Sequence, residues 1–166
     1  MAKKSSKKST KYLLLDLLTL VFAGCLLGFL ALPYAKSKVN ILGGTSESPI
    51  SGYSMLDFNA DSGLATVILL LVIFASILAL LGLLKVCCDT GVIKNKSVVK
   101  LIKFGLILFA LASLVMTIVA MIVVPSKCSS IGGSSASLGT YADWFVLILS
   151  TIMGVGALFS SVLSAK

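Results

Sequence analysis

Residues Leu64 to Leu84 read LATVILLLVIFASILALLGLL, twenty-one positions without a charged residue, Asn, Gln or Pro. As a helix rising 1.5 Å per residue this stretch is about 31 Å long, the thickness of a bilayer's hydrocarbon core. Fifteen of the residues are Leu, Ile, Val or Phe. On an insertion scale they favour the bilayer by about 5 to 9 kcal/mol. A helix apolar on every side has no solvated face and reads as a membrane span.

Three further stretches repeat this solution, giving predicted spans at 12–32, 64–84, 98–124 and 144–163. The chain of 166 residues is 58% hydrophobic and 12% charged, with mean hydropathy +1.10. Soluble domains carry about twice that charged fraction. The expectation is a single integral membrane domain over 1–166, an all-α four-helix bundle with a short β-hairpin in its first outer loop. A signal peptide is disfavoured for the first span, because its apolar run is too long and Pro33 occupies the minus-three position for cleavage after Ala35.

The net charge of +8 comes from lysine alone, since Arg, His and Gln do not occur. Without His the commonest general base and metal ligand is missing, and without Arg so is the bidentate phosphate clamp. No P-loop, dinucleotide fingerprint, metal cluster or nucleophile–base pair occurs, so no enzyme, cofactor or metal is expected. The lysines flank apolar spans rather than cover a basic face with interleaved aromatics, which points to anionic headgroups and away from nucleic acid. Lys3, Lys4, Lys7, Lys8 and Lys11 lie in an N-terminal run expected to be disordered. Lys96, Lys100 and Lys103 form a ridge on the third helix, for which Ser97 is the expected N-cap.

With the N-terminus inside, eleven of the fourteen lysines, Lys85 among them, fall on the inner side. The positive-inside rule then predicts cytoplasmic termini, a cytoplasmic loop at 85–97 and outer loops at 34–63 and 125–143 in a plasma-membrane protein. Tyr34, Tyr141 and Trp144 fall at the outer interface and Tyr12 at the inner one, as an aromatic belt requires.

In the first outer loop, Val39 to Leu42 and Ile50 to Phe58 flank a Gly-Gly and polar turn and are expected to pair as strands. Tyr53, Met55 and Phe58 are its candidate interaction residues. The second outer loop, rich in Ser and Gly, reads as flexible, and Pro125 is expected to stop the third helix.

Asp16 is the one acid within a predicted span. It lies about 6 Å from the span's inner end and is read as reaching headgroup water; the alternative is a proton or cation site in a small transporter or channel subunit. Asp57, Asn59 and Asp61 stand at alternate positions but lack the glycine placement and closing Glu of a calcium loop, which leaves Asp61 or Ser62 as a helix cap. Cys128 has no outer partner within the chain and could link two copies, while Cys87 and Cys88 are read as apolar interface residues, with palmitoylation beside the membrane as the alternative.

Gly24 and Gly28 form G-x-x-x-G, and the last span offers Ser150 with Gly154, and Gly156 with Ser160 and Ser164, at four-residue spacing. Such residues let helices approach closely where lipid removes the hydrophobic drive, first within the chain and then toward further copies. The layout is similar to that of claudins and related tetraspan families, which share a long first outer loop and inside termini. That resemblance is one of architecture, because this first loop contains neither the Trp nor the Cys of W-x-L-W-C-C. The function expected is that of a non-catalytic structural, assembly or interaction component, acting as a homo-oligomer or with other membrane proteins.

Overall fold

The computed structural model describes residues 3–41, 44–57, 61–93, 95–131 and 137–165, with side chains described over 12–38, 46–57, 61–93, 95–128 and 141–164. Four helices, α1 (Lys3–Phe29), α2 (Ser62–Asp89), α3 (Lys96–Ile131) and α4 (Trp144–Ala165), dominate the chain. Each is long and apolar enough to cross a membrane. Neighbours in sequence pack together and α4 closes the ring against α1, while the diagonal pairs α1/α3 and α2/α4 make no close approach among the described residues. This is an up-and-down bundle.

A glycine lies at each of the four seams, most tightly packed at Gly105, Gly154 and Gly156. A methyl group at Gly82 would lie 3.6 Å from Leu20 across α1/α2, and one at Gly105 would lie 3.0 Å from Leu81 across α2/α3. At Gly154 it would come within 3.2 Å of Thr117 and 3.4 Å of the Leu114 backbone in α3, and at Gly156 within 2.8 Å of the Phe22 ring in α1. Close approach of backbones is how helices gain van der Waals contact in lipid. Gly24 and Gly28 take no part: nothing lies within 4 Å of a methyl at either position. The expectation that they pack within the chain is therefore corrected.

One end of the bundle is closed by a three-stranded antiparallel sheet in the order β2-β1-β3, built from β1 (Pro33–Ile41), β2 (Gly44–Ser51) and β3 (Ser137–Ala142). The hairpin is there with strands displaced from the predicted ones, since Tyr53–Leu56 forms a 3-10 turn instead of extending the second strand. The third strand corrects the reading of the second connection as merely flexible. Alternation in Ser137–Ala142 is short and weakly apolar, so only pairing with β1 reveals it as a strand.

Helix ends also differ from expectation. Helix α1 starts at Lys3, because lysine is a good helix former and the run joins a span without interruption. Helix α3 continues past Pro125 to Ile131. Proline removes one backbone donor there, and the Ser126 hydroxyl donates to the Val123 carbonyl at 2.8 Å beside it. Asn95, rather than Ser97, caps α3: its Oδ1 accepts from the Ser97 amide at 3.0 Å. Asp61 caps α2 by accepting from the Leu64 amide at 3.0 Å.

Candidate functional site

At the end opposite the sheet, a charged cluster is buried inside the bundle. The Lys85 Nζ donates to Asp16 Oδ2 at 2.9 Å and to Asp89 Oδ2 at 2.7 Å. Ser164 on α4 donates to the other Asp16 oxygen. Asp16 and Lys85 are each 1% exposed, and Asp89 opens part of its side chain outward. Lys103 on α3 also acts on Asp89 electrostatically. The cluster thus draws on all four helices.

Helix geometry explains the convergence. Asp16 lies one turn past the start of the first apolar run and Lys85 one residue past the end of the second, so the antiparallel helices bring them to the same depth. The structure corrects the assignment of Asp16 to headgroup water and of Lys85 to an exposed connection. Bringing two charges out of water costs several kcal/mol each, and direct pairing offsets that cost.

Hydroxyls continue the polar lining beyond the ion pairs. Thr19 donates to Ser160 at 2.8 Å, and Ser160 donates to the Ala157 carbonyl at 3.1 Å. Beyond them Ala23, Leu78, Ile102, Leu106, Ala110 and Ala157 form an apolar belt that separates the cluster from the sheet end. Among the described residues no group of three or more His, Cys, Asp or Glu could hold a metal ion.

The sheet end is organised differently. Tyr34 is buried, with its hydroxyl 2.9 Å from Ser150 Oγ, and its carbonyl accepts from the Asp143 amide at 2.9 Å. Burial raises the Tyr34 phenol above its ordinary range. Tyr34 is therefore a core residue and no part of an interfacial belt, whereas Trp144 and Tyr141 are exposed. Around it, Leu30, Met55, Leu64, Ile68, Val124, Cys128, Val146 and Leu147 form one core. Three ion pairs rim this end: Lys36–Asp143 at 3.0 Å, Lys38–Glu47 at 3.2 Å and Lys127–Asp61 at 3.0 Å. Lys38 also stands 5.2 Å from the Tyr141 ring centre. The neighbouring ammonium groups hold the Glu47 and Asp61 carboxyls low, with the Leu64 amide the largest influence on Asp61.

Of the outer residues singled out from sequence, Tyr53 is exposed with its hydroxyl donating to the Leu27 carbonyl at 3.0 Å. Met55 is buried in the core and so unavailable to a partner, and Phe58 lies outside the described residues. Cys128 is buried too, which removes it from bridging two copies. On α3, Lys96 and Lys100 are exposed and Lys103 is half-buried; the side chains of Lys3, Lys4, Lys7, Lys8 and Lys11 lie outside the described residues. Sequence reading missed Lys85 and Asp89 as partners of Asp16. The available signal was depth: an acid inside one span pairs with the base at the same level on its antiparallel neighbour.

Compared with known proteins, the chain matches no family model, no curated protein and no solved structure.

Proposed function

We propose that this is a non-catalytic multi-pass membrane component that docks a partner protein or a second copy through its sheet end. The observation that carries the reading is the outer edge of β2. Strand β3 packs against α3, but among the described residues β2 is flanked by β1 and the 3-10 turn alone, and Ser46 to Pro49 are exposed. An edge strand presents backbone donors and acceptors that another chain can pair with. Pro49 in this strand fits an edge, where a missing donor is tolerated. In this reading the sheet faces the exterior of the plasma membrane and both termini are cytoplasmic, with the lysines of α1 and α3 lying against anionic headgroups.

A photo-crosslinking residue placed at Ser46 or Ser48 tests this in native membranes. A discrete adduct is expected from either site and none from Val155, which is exposed on the flank of α4. The mass of the adduct separates a second copy from another protein. If β2 gives no adduct, the reading fails.

The second reading, a small transporter or channel subunit using Asp16, is supported by the burial of a carboxylate within a span. Flux through reconstituted vesicles that Asp16→Asn abolishes would favour it; no flux, or flux indifferent to Asp16→Asn, would reject it.

A further inference from the structure

Among the described residues, Ser161 Oγ is the buried side-chain oxygen or nitrogen left without a hydrogen-bond partner. Hydroxyls in apolar helices ordinarily donate to the carbonyl three or four residues back. Ser113, Thr117, Ser150, Thr151 and Ser160 all do so, at 2.8 to 3.1 Å. Ser161 departs from the pattern although it sits on the same helix as three of them. An unpaired hydroxyl in an apolar interior costs about 1–3 kcal/mol, so its persistence signals a missing partner.

The position of Ser161 says what that partner is. On α4 the residues Ser150, Gly154, Ala157, Ser161 and Ser164 recur at three- and four-residue spacing and are all buried, so they line the bundle axis. All are small. Ser164, one turn from Ser161, holds Asp16. Residues three apart on a helix have Cβ atoms about 5–6 Å apart, which two hydrogen bonds of about 2.8 Å each can span. A single oxygen that both donates and accepts is the smallest group that satisfies both hydroxyls over that span.

We infer that the bundle axis binds one water molecule between Ser161 and Ser164. It extends the buried ionic cluster into a continuous chain of Ser161, water, Ser164, Asp16, Lys85 and Asp89. Asp89 is the partly exposed member, so the chain opens at the ion-pair end, while the apolar belt of Leu78, Leu106 and Ala157 closes it toward the sheet. Polar neighbours on two sides and small residues around the site are what an internal water requires.

The sign of a stability change decides the matter. The full chain in lipid nanodiscs is compared with Ser161→Ala, using Ser76→Ala on α2 to set the effect of alanine in an apolar helix. With water bound, Ser161→Ala lowers the thermal midpoint relative to Ser76→Ala, and infrared spectra of the unmodified chain show an internal-water band that shifts in ¹⁸O-labelled water and is lost in Ser161→Ala. If the site is dry, removing the hydroxyl relieves a desolvation cost and the midpoint is equal or higher. An equal or higher midpoint, a missing isotope-sensitive band, or a band that survives in Ser161→Ala each overturns the inference.

Discussion

The two ends of the bundle use the same kinds of charge in opposite ways. At the sheet end, Lys36, Lys38 and Lys127 pair with carboxylates at the rim, where both partners retain contact with solvent. At the other end Lys85 is enclosed with Asp16, with Asp89 alone reaching outward. Rim pairs contribute little because water already solvates each partner and salt screens the attraction. The enclosed pair is different: its net contribution is small, yet removing one partner strands the other in a low-dielectric interior. Hydrophobic packing and the folded connections secure the sheet end, and charge satisfaction secures the opposite one.

The sharpest way to break this comparison is Lys85→Met. It should cost about 3–5 kcal/mol of stability, measured by unfolding in detergent, because Asp16 is left buried and charged without its ammonium. The double variant Asp16→Asn with Lys85→Met should recover most of that loss. A single variant that melts like the parent would place Lys85 with the rim lysines.

Next in size, Gly154→Leu should cost about 1–3 kcal/mol, since the Leu114 backbone is 3.4 Å from the first added atom and cannot retreat. Gly24→Leu should leave the unfolding curve in place, because nothing lies within 4 Å of that position. If the two variants behave alike in dilute detergent, the assignment of seams is wrong.

Tyr34→Phe should cost about 1 kcal/mol, the net worth of a neutral hydrogen bond, because Ser150 keeps its bond to the Val146 carbonyl at 2.9 Å. The same substitution at the exposed Tyr141 serves as the internal control.

The smallest effect concerns the rim and appears only on acidification. Asp61 has its carboxyl lowered from 3.8 by the Leu64 amide and Lys127, so its stabilising contribution is present above that value and is lost as pH falls through the lower folded value. Titrating from pH 7 to about 4 should therefore leave the Asp61 cap intact, and Asp61→Asn should flatten the pH dependence that appears below. Loss of the cap already near pH 6, followed by amide exchange at Leu64, would contradict this.

The spans were legible because lipid enforces a long, uniformly apolar run, and Leu64 to Leu84 admits no other reading. Capping at Asp61 was legible for a similar reason, being a local property of a polar residue before an apolar helix. Asp16, Lys85 and Ser164 were each visible, but their meeting was not, because it depends on which helices become neighbours. Strand β3 was hidden for the same reason: Ser137 to Ala142 has little intrinsic strand character and takes its conformation from β1, about a hundred residues earlier in the chain. The continuation of α3 beyond Pro125 runs against a strong local rule and follows from packing of the helix end against β3.

The central place of β1 has a consequence for biosynthesis. Its hairpin partner β2 ends at Ser51, whereas β3 begins at Ser137, so 86 residues must be translated before the second edge of β1 is covered. At about 5–20 residues per second that interval is roughly 4 to 17 s. During it the nascent hairpin stands with a bare backbone ladder, and α3 must be made before the ladder is sealed. Substitutions that delay α3, such as a charge placed in its apolar stretch, would thus show themselves first as aggregation through β1.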